Sequence, residues 1–297
     1  MPKSLLRLIK SCYFYVFQKQ WHIVIFSGEN YSNQKIVKFK FGSADPFVCC
    51  KSGSHSILFE LITSTGLGTI ENFDLDEKLK LSNRQKVITC VSHLSFPFVF
   101  NYQNKSWIMP ESNNAKEIAI YSETQANKYE KFSWLLKGER WVDSMLLSKD
   151  NSHFLITNKK KNNGDAYSLE LEIYSIQDFP MGDAQKLKVA KSCNLHERNA
   201  GVFFSKKFKT FVRVSQISTQ QIYGAGIRLN KIETLTKKVY QEIEVGDFVG
   251  IFPMHHFSKC DHFVATDIQF SNLDYTLRRG KIKSQLQDFS DFFRRFL

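Results

Sequence analysis

The residues best suited to chemistry fall at matching places along this 297-residue chain. Asp45, Asp143, the pair His93 and Ser95, the pair Arg198 and Asn199, and the pair His255 and His256 each stand just ahead of or at the opening of an apolar run. Glu111 closes such a run, WIMPE. Two carboxylates, imidazoles and a guanidinium brought to one mouth would make a polar site able to hold hydroxyls or phosphate. Each residue also has a plainer use. An Asp before a strand often caps a turn. Arg198 can pair with Glu197 beside it, and Glu111 can sit on the surface. His255 and His256 are adjacent in an extended segment and point to opposite sides, so at most one faces a shared site.

What could bring positions so far apart together is an internal repeat. Five segments, beginning at 45, 96, 143, 200 and 255, align beneath one another: DPFVCCKSGSHSILFE, FPFVFNYQNKSWIMPE, DSMLLSKDNSHFLITN, AGVFFSKKFKTFVRVS and HHFSKCDHFVATDIQ. Each is an apolar run, a short polar turn and a second apolar run, which is the signature of a β-hairpin. The turns fall at 51–54, 102–105, 149–152, 206–209 and 259–261. Further strand-like runs follow the hairpins, at 117–121 and 132–136, at 169–174 and 186–189, and at 227–232 and 239–243. Four strands in roughly 50 residues is one propeller blade. The predicted fold is therefore all-β, a five-bladed β-propeller over 21–270. The run WHIVIF at 21–26 is a spare strand that would complete the last blade and close the ring. A β-sandwich would accommodate the strands but gives no reason for one hairpin to recur five times. In a propeller the first strand of each blade lines the central channel, so the blade-opening residues converge on one funnel.

At 42% hydrophobic residues the chain can bury a sizeable core, which argues against disorder. Its net charge of +12 favours polyanions: phosphorylated or nucleotide-linked sugars, an anionic membrane face, or nucleic acid. No nucleic-acid-binding motif accompanies the charge, so no nucleic acid partner is expected. Charge concentrates at Lys159, Lys160 and Lys161, read as a solvated hairpin loop, and in the tail. The six cysteines, Cys12, Cys49, Cys50, Cys90, Cys193 and Cys260, contain no CxxC pair and no zinc-ligand spacing with histidine. No metal and no cofactor is expected. Scattered cysteines at apolar positions read as buried free thiols in a reducing compartment, hence a cytoplasmic protein. Residues 1–20 form a basic segment whose apolar run is broken by Arg7 and Lys10, which argues against a secretory signal. Residues 271–297 form a basic amphipathic helix, with Ile282, Leu286, Phe289, Phe293 and Phe296 at helical spacing. That stripe has two uses: packing on the side of the propeller, or lying in the boundary of an anionic membrane and holding the protein at its inner face.

Five stretches together resemble a known family: SADPFV at 43–48, HLSFPFVFNYQNKSWIMPES at 93–112, RWVDSMLL at 140–147, ERNAGVFF at 197–204 and YGAGIRL at 223–229. They are similar to the N-terminal domain of glucosamine inositolphosphorylceramide transferases and its bacterial stand-alone relatives. That domain is itself similar to the five-bladed propellers of glycoside hydrolase family 43. The resemblance implies a base, an acid and a third, tuning acid in the funnel, the pair needed for inverting glycoside hydrolysis. It assigns the base position to Asp45 and a further blade-opening acidic position to Asp143. No Glu opens a blade where the acid is expected, which leaves Glu111 of the MPES motif. His93, Ser95, Arg198, His256 and Tyr223 are the implied substrate-binding residues. Ser144 and Asn199 stand where the relatives usually carry Pro.

Two functions follow. One is an enzyme that transfers or hydrolyses a glycan or activated sugar, in the synthesis of a bacterial surface polysaccharide. The other is a non-catalytic propeller that binds a glycan or a partner and scaffolds a separate glycosyltransferase. No Gly-rich phosphate loop is present and no DxD-type motif stands beside a nucleotide fold, so a transferase reading rests on the funnel itself.

Overall fold

The computed structural model describes residues 16–51, 53–160, 169–181, 183–191 and 197–297. Cys12, Cys193 and Lys161 lie outside them. Among the described residues the strands form five sheets arranged as propeller blades around one axis.

The first two described strands belong to the last blade. β1 (Gln20–Ser27) and β2 (Asn33–Val37) occupy its outer half. Blade one is β3 (Ser43–Lys51), β4 (Ser54–Ile62), β5 (Gly68–Leu75) and β6 (Leu81–Lys86). Blade two is β7 (Ser95–Tyr102), β8 (Lys105–Glu111), β9 (Glu117–Gln125) and β10 (Lys128–Lys137). Blade three is β11 (Trp141–Lys149), β12 (Ser152–Lys160), β13 (Leu169–Ile176) and β14 (Ala184–Lys186). The short β15 (Lys188–Lys191) then leaves that blade and pairs in parallel with the outer edge of the next. The single strand expected at 186–189 is thus split between two blades. Blade four is β16 (Asn199–Ser205), β17 (Thr210–Ile217), β18 (Gly226–Leu235) and β19 (Val239–Val249). The last blade holds β20 (Phe257–Cys260) and β21 (Phe263–Phe270), and β21 pairs antiparallel with β1 from Gln20↔Phe270 to Phe26↔Val264. The spare strand does close the ring. Ile23, Val24, Ile25 and Phe26 are buried without a break, as a strand covered on both faces requires.

One local device recurs at the inner end of the first three blades. Pairing jumps from Ala44↔Glu60 to Phe47↔Leu58, from Ser95↔Glu111 to Phe98↔Met109, and from Val142↔Asn158 to Met145↔Ile156. Two residues face one at each jump, which is a β-bulge, and bulges re-aim side chains. The first bulged residue has a left-handed backbone each time: Asp45 at φ 51°, Phe96 at 43° and Asp143 at 49°. Asp tolerates that conformation better than most residues, so the two blade-opening aspartates suit the turn as well as the site. In blade four the register shifts between Asn199 and Gly201, and Gly201 has φ 142°. A Cβ there would lie 1.9 Å from the Phe257 carbonyl oxygen of the next blade, so only glycine fits.

After Phe270 the chain enters α1 (Asn272–Arg294) through a capping box: the Ser271 hydroxyl accepts from the Asp274 amide, and the Asp274 carboxylate accepts from the Ser271 amide. Ile282, Leu286, Phe289 and Phe293 are each 1% exposed or less. Phe293 lies flat on Phe257 of β20, ring centroids 3.9 Å apart, and Phe289 meets Phe26 of β1 and Phe248 of β19. The aromatic stripe covers the propeller. The rings that membrane insertion would need are already buried, while Arg278, Arg279, Lys281, Lys283, Arg294 and Arg295 face outward.

Candidate functional site

The bulges and the strand ends opposite them frame a cavity of about 350 Å³ at one end of the axis, within the range of small-ligand sites. Asp45, Glu111, His93, Ser95, Arg198 and Tyr223 border it. So do Glu60 and Trp21, not picked out from sequence, and His255 of the adjacent histidine pair. Asp143, 2% exposed, stands behind Arg198.

Asp45 sits at the centre of one half. Its Oδ2 accepts from the Phe96 amide at 3.1 Å, and its own amide donates to Asp267 Oδ2 at 3.1 Å. His255 Nε2 lies 3.7 Å from Asp45 Oδ1. His255 Nδ1 is 2.7 Å from Asp267 Oδ1, so Asp267 fixes the ring and turns Nε2 toward Asp45. Burial pushes Asp45 up to about 6, with Asp267 and Asp143 adding to the rise and His255 opposing it. Burial alone would also raise Asp267, but the charge and hydrogen bond of His255 hold it below the usual carboxylate range. Burial disfavours the charged imidazolium of His255, yet Asp267 and Asp45 outweigh it and raise that group.

Of the adjacent histidines, His255 reaches the cavity and His256 does not. His256 is fully buried, edge-on to Phe47 at 4.5 Å and to Phe96 at 5.4 Å. Burial pushes it down to about 3, so it stands neutral behind Asp45. The cavity-facing place expected of His256 is therefore taken by His255, because the segment before β20 turns the earlier side chain inward. Trp21 stacks on His255 with centroids 4.0 Å apart, and Tyr223 meets the same ring edge-on at 5.3 Å. These rings give the cavity an aromatic wall.

The other half is a buried ion cluster. Arg198 donates from Nε and Nη2 to the two oxygens of Asp143, at 2.5 and 2.7 Å, and from Nη2 to Glu111 Oε2 at 3.2 Å. The Asp143 amide also donates to Glu111 Oε2, at 3.3 Å. Arg198 thus faces the cavity but is engaged by the Asp143 carboxylate and the Glu111 carboxyl rather than waiting for a ligand. Burial pushes Glu111 up to about 8, with Asp143 and Asp45 adding and Arg198 opposing. Glu60 is raised well above the usual range by burial first, then by Asp45 and Glu111. His93 Nε2 lies 3.3 Å from Glu60 Oε1, while its Nδ1 accepts from the Gly68 amide at 2.8 Å. That acceptor role fixes His93 as the neutral tautomer with its proton on Nε2.

Ser144 and Asn199, where the resemblance implies Pro, are both satisfied. The Ser144 hydroxyl lies 2.8 Å from Thr157 Oγ1. The Asn199 amide donates to Asn158 Oδ1 at 2.8 Å, and its side chain donates to the Asp143 carbonyl at 2.8 Å, tying blade four to blade three. Asn199 also accepts from Arg213, which forms a fully buried bidentate pair with Glu242. The bulges are held by hydrogen bonds in place of ring rigidity.

Known proteins match this arrangement. The family model described as the N-terminal part of glucosamine inositolphosphorylceramide transferase 1 matches residues 21–252. Glucosamine inositolphosphorylceramide transferase 1 of Oryza sativa subsp. japonica is 30% identical over 208 residues, covering 68% of this chain and 28% of the rice protein. The Arabidopsis thaliana protein of the same name is 30% identical over 213 residues, covering 68% and 27%. The chain therefore spans little more than a quarter of the length of these relatives. Among solved structures, a thermostable family-43 glycoside hydrolase superposes with a TM-score of 0.58 at 12% identity, over 78% of this chain and 91% of that one. An endo-1,4-beta-xylanase from Bacteroides thetaiotaomicron gives 0.54 at 13% identity, over 72% and 79%. At such identity the structural likeness speaks for the fold.

Proposed function

The chain belongs to the family of glucosamine inositolphosphorylceramide transferase N-terminal domains, and from that premise we propose that its cavity makes or breaks a glycosidic bond. The observation that carries the proposal is the division among its buried carboxyls. Asp45 is displaced to about 6 and Glu111 to about 8, so at neutral pH one is an anion and the other still holds its proton. Carboxyls pushed apart in this way support one role as base and one as acid. Asp45 takes the proton of the attacking water or sugar hydroxyl, with His255 stabilising its charge. Glu111 delivers its proton to the leaving oxygen. Trp21 and Tyr223 offer faces on which a sugar ring stacks, and His93 and Ser95 reach its hydroxyls.

The expected pH profile follows from those roles. kcat/KM should rise through about pH 6 as Asp45 ionises and fall through about pH 8 as Glu111 loses its proton. Glu111→Gln should cost roughly 10²–10⁴-fold on a glycoside with a poor leaving group. It should cost little on a dinitrophenyl glycoside, whose leaving oxygen needs no proton. A panel of aryl glycosides and sugar nucleotides read by product release checks both. An equal loss on both substrate kinds would remove Glu111 from the acid role.

The setting we assign is assembly of a bacterial surface polysaccharide on the cytoplasmic side. The exposed basic face of α1 supports contact with anionic headgroups through charge alone. Flotation with anionic vesicles at low salt should be lost when Arg278, Arg279, Lys281 and Lys283 are all changed to Glu. Equal flotation of this variant and the parent would exclude that contact.

One observation favours the second reading, a glycan-binding propeller that serves a separate glycosyltransferase. Arg198 stands at the opening of blade four and ties Asp143 and Glu111 into one ion cluster. Saturable glycan binding with no turnover of any substrate would select it.

A further inference from the structure

Asp45 and Cys50 lie on the same strand, five residues and so roughly 16 Å apart. Beyond Cys50, at the hairpin-turn end of the blades, a second cluster gathers away from the cavity. Cys50 of β3 and His55 of β4 are direct cross-strand partners, so their side chains share a face of the hairpin. Asp261, in the turn between β20 and β21, approaches from the neighbouring blade and places Oδ2 3.0 Å from His55 Nε2. The Cys50 sulfur, a His55 ring nitrogen and an Asp261 oxygen all lie within 4.8 Å of one another. From these contacts we infer that Cys50, His55 and Asp261 form a zinc-class metal site joining blade one to the last blade.

Thiolate, imidazole and carboxylate are the donors zinc takes, at roughly 2.3, 2.0 and 2.1 Å, which sets tetrahedral edges of about 3.3–3.6 Å. With all three donor atoms within 4.8 Å and His55 and Asp261 3.0 Å apart, binding needs side-chain shifts of about an ångström. A carboxylate also stands behind the imidazole, beyond hydrogen-bond distance. With Nε2 toward the metal, Nδ1 points at Glu77 Oε1, 3.8 Å away, and Glu77 in turn lies 2.6 Å from His262 Nε2. Closing to hydrogen-bond distance, that carboxylate would fix the tautomer of the histidine and strengthen it as a donor. Phe263 packs against the same ring at 4.7 Å. Sequence spacing gave no metal motif because the ligands come from separate hairpin ends, with Asp261 more than two hundred residues from the other two. Binding displaces the Cys50 proton; the thiolate and Asp261 carboxylate then balance a divalent cation, and a fourth position stays open to water.

Such an ion would clip the seam where the ring closes. Titrating the full chain with Co²⁺ should give one equivalent bound with a thiolate-to-cobalt charge-transfer band, displaced by Zn²⁺. Zn²⁺ should release about one proton from Cys50 and raise Tm in proportion to the logarithm of its concentration. Cys50→Ser and His55→Gln should each abolish the band and the Tm rise. Cys49→Ser and Cys260→Ser should keep both, since Cys49 faces away and bonds Ser56. No charge-transfer band, a Zn²⁺ response unchanged in Cys50→Ser, or its loss in Cys260→Ser would overturn the assignment.

Discussion

Asp45→Asn is expected to lower turnover by roughly 10²–10⁴-fold, the contribution of a positioned base, while leaving Tm within a few degrees of the parent. The amide keeps an oxygen to accept from the Phe96 amide, and Asn adopts the left-handed backbone of position 45 as readily as Asp. What changes is the charge and the ability to take a proton. His255 should respond as well, because it loses the anion facing Nε2 while keeping Asp267 at Nδ1. Its ring titration, followed by NMR, should therefore move down in the variant. Turnover equal to the parent would make Asp45 a structural bulge residue and leave glycan binding as the better reading. A large fall in Tm would show that its charge holds the bulge together.

Phe293→Ala is expected to destabilise the protein by about 3–5 kcal/mol, the range for a buried Phe cut to Ala. Phe293 is 1% exposed and lies face to face with Phe257, so its loss opens a cavity between α1 and the last blade. Globular proteins are stable by only about 5–15 kcal/mol, so one substitution removes a large share. Truncation after Tyr275 removes Ile282, Leu286, Phe289 and Phe293 together and should leave little soluble protein. Denaturant unfolding measures the first and expression yield the second. A loss below about 1 kcal/mol for Phe293→Ala would mean that α1 is an appendage, and would return its stripe to a membrane or a partner.

The repeat made the fold legible. Hairpins beginning at 45, 96, 143, 200 and 255 became the inner strand pairs, with turns where polar residues interrupted the apolar runs. Side-chain period 2 makes strands visible, but it does not show which blade takes a short outer strand; hence the division of 186–189 between β14 and β15. The funnel was legible in part. Asp45 and Asp143 showed as blade openers. Glu60 was missed although it closes the first hairpin where Glu111 closes the second; the register pairs Ala44 with Glu60 and Ser95 with Glu111. Reading that column would have found it. Asp267 gave a weaker sign, one charge inside the apolar strand FVATDIQF. The choice between His255 and His256 was not available from alternation, which fixes that they diverge but not which one points inward.

The pairing of β1 with β21 has a consequence for how the protein is made. Trp21 leaves the ribosome early, yet its partner Gln269 comes close to the end of the chain. At 5–20 residues per second, roughly 12–50 s of translation separate the two strands. During that interval β2 can pair with IVIF along one edge, but the edge that meets β21 lacks its neighbour, and contacts so distant in sequence form slowly. The nascent chain therefore carries an unpaired strand edge while the residues between Trp21 and Gln269 are made. Strong dependence of yield on chaperones or growth temperature should trace to residues 23–26, and charged substitutions flanking them at exposed positions of β2 should relieve it.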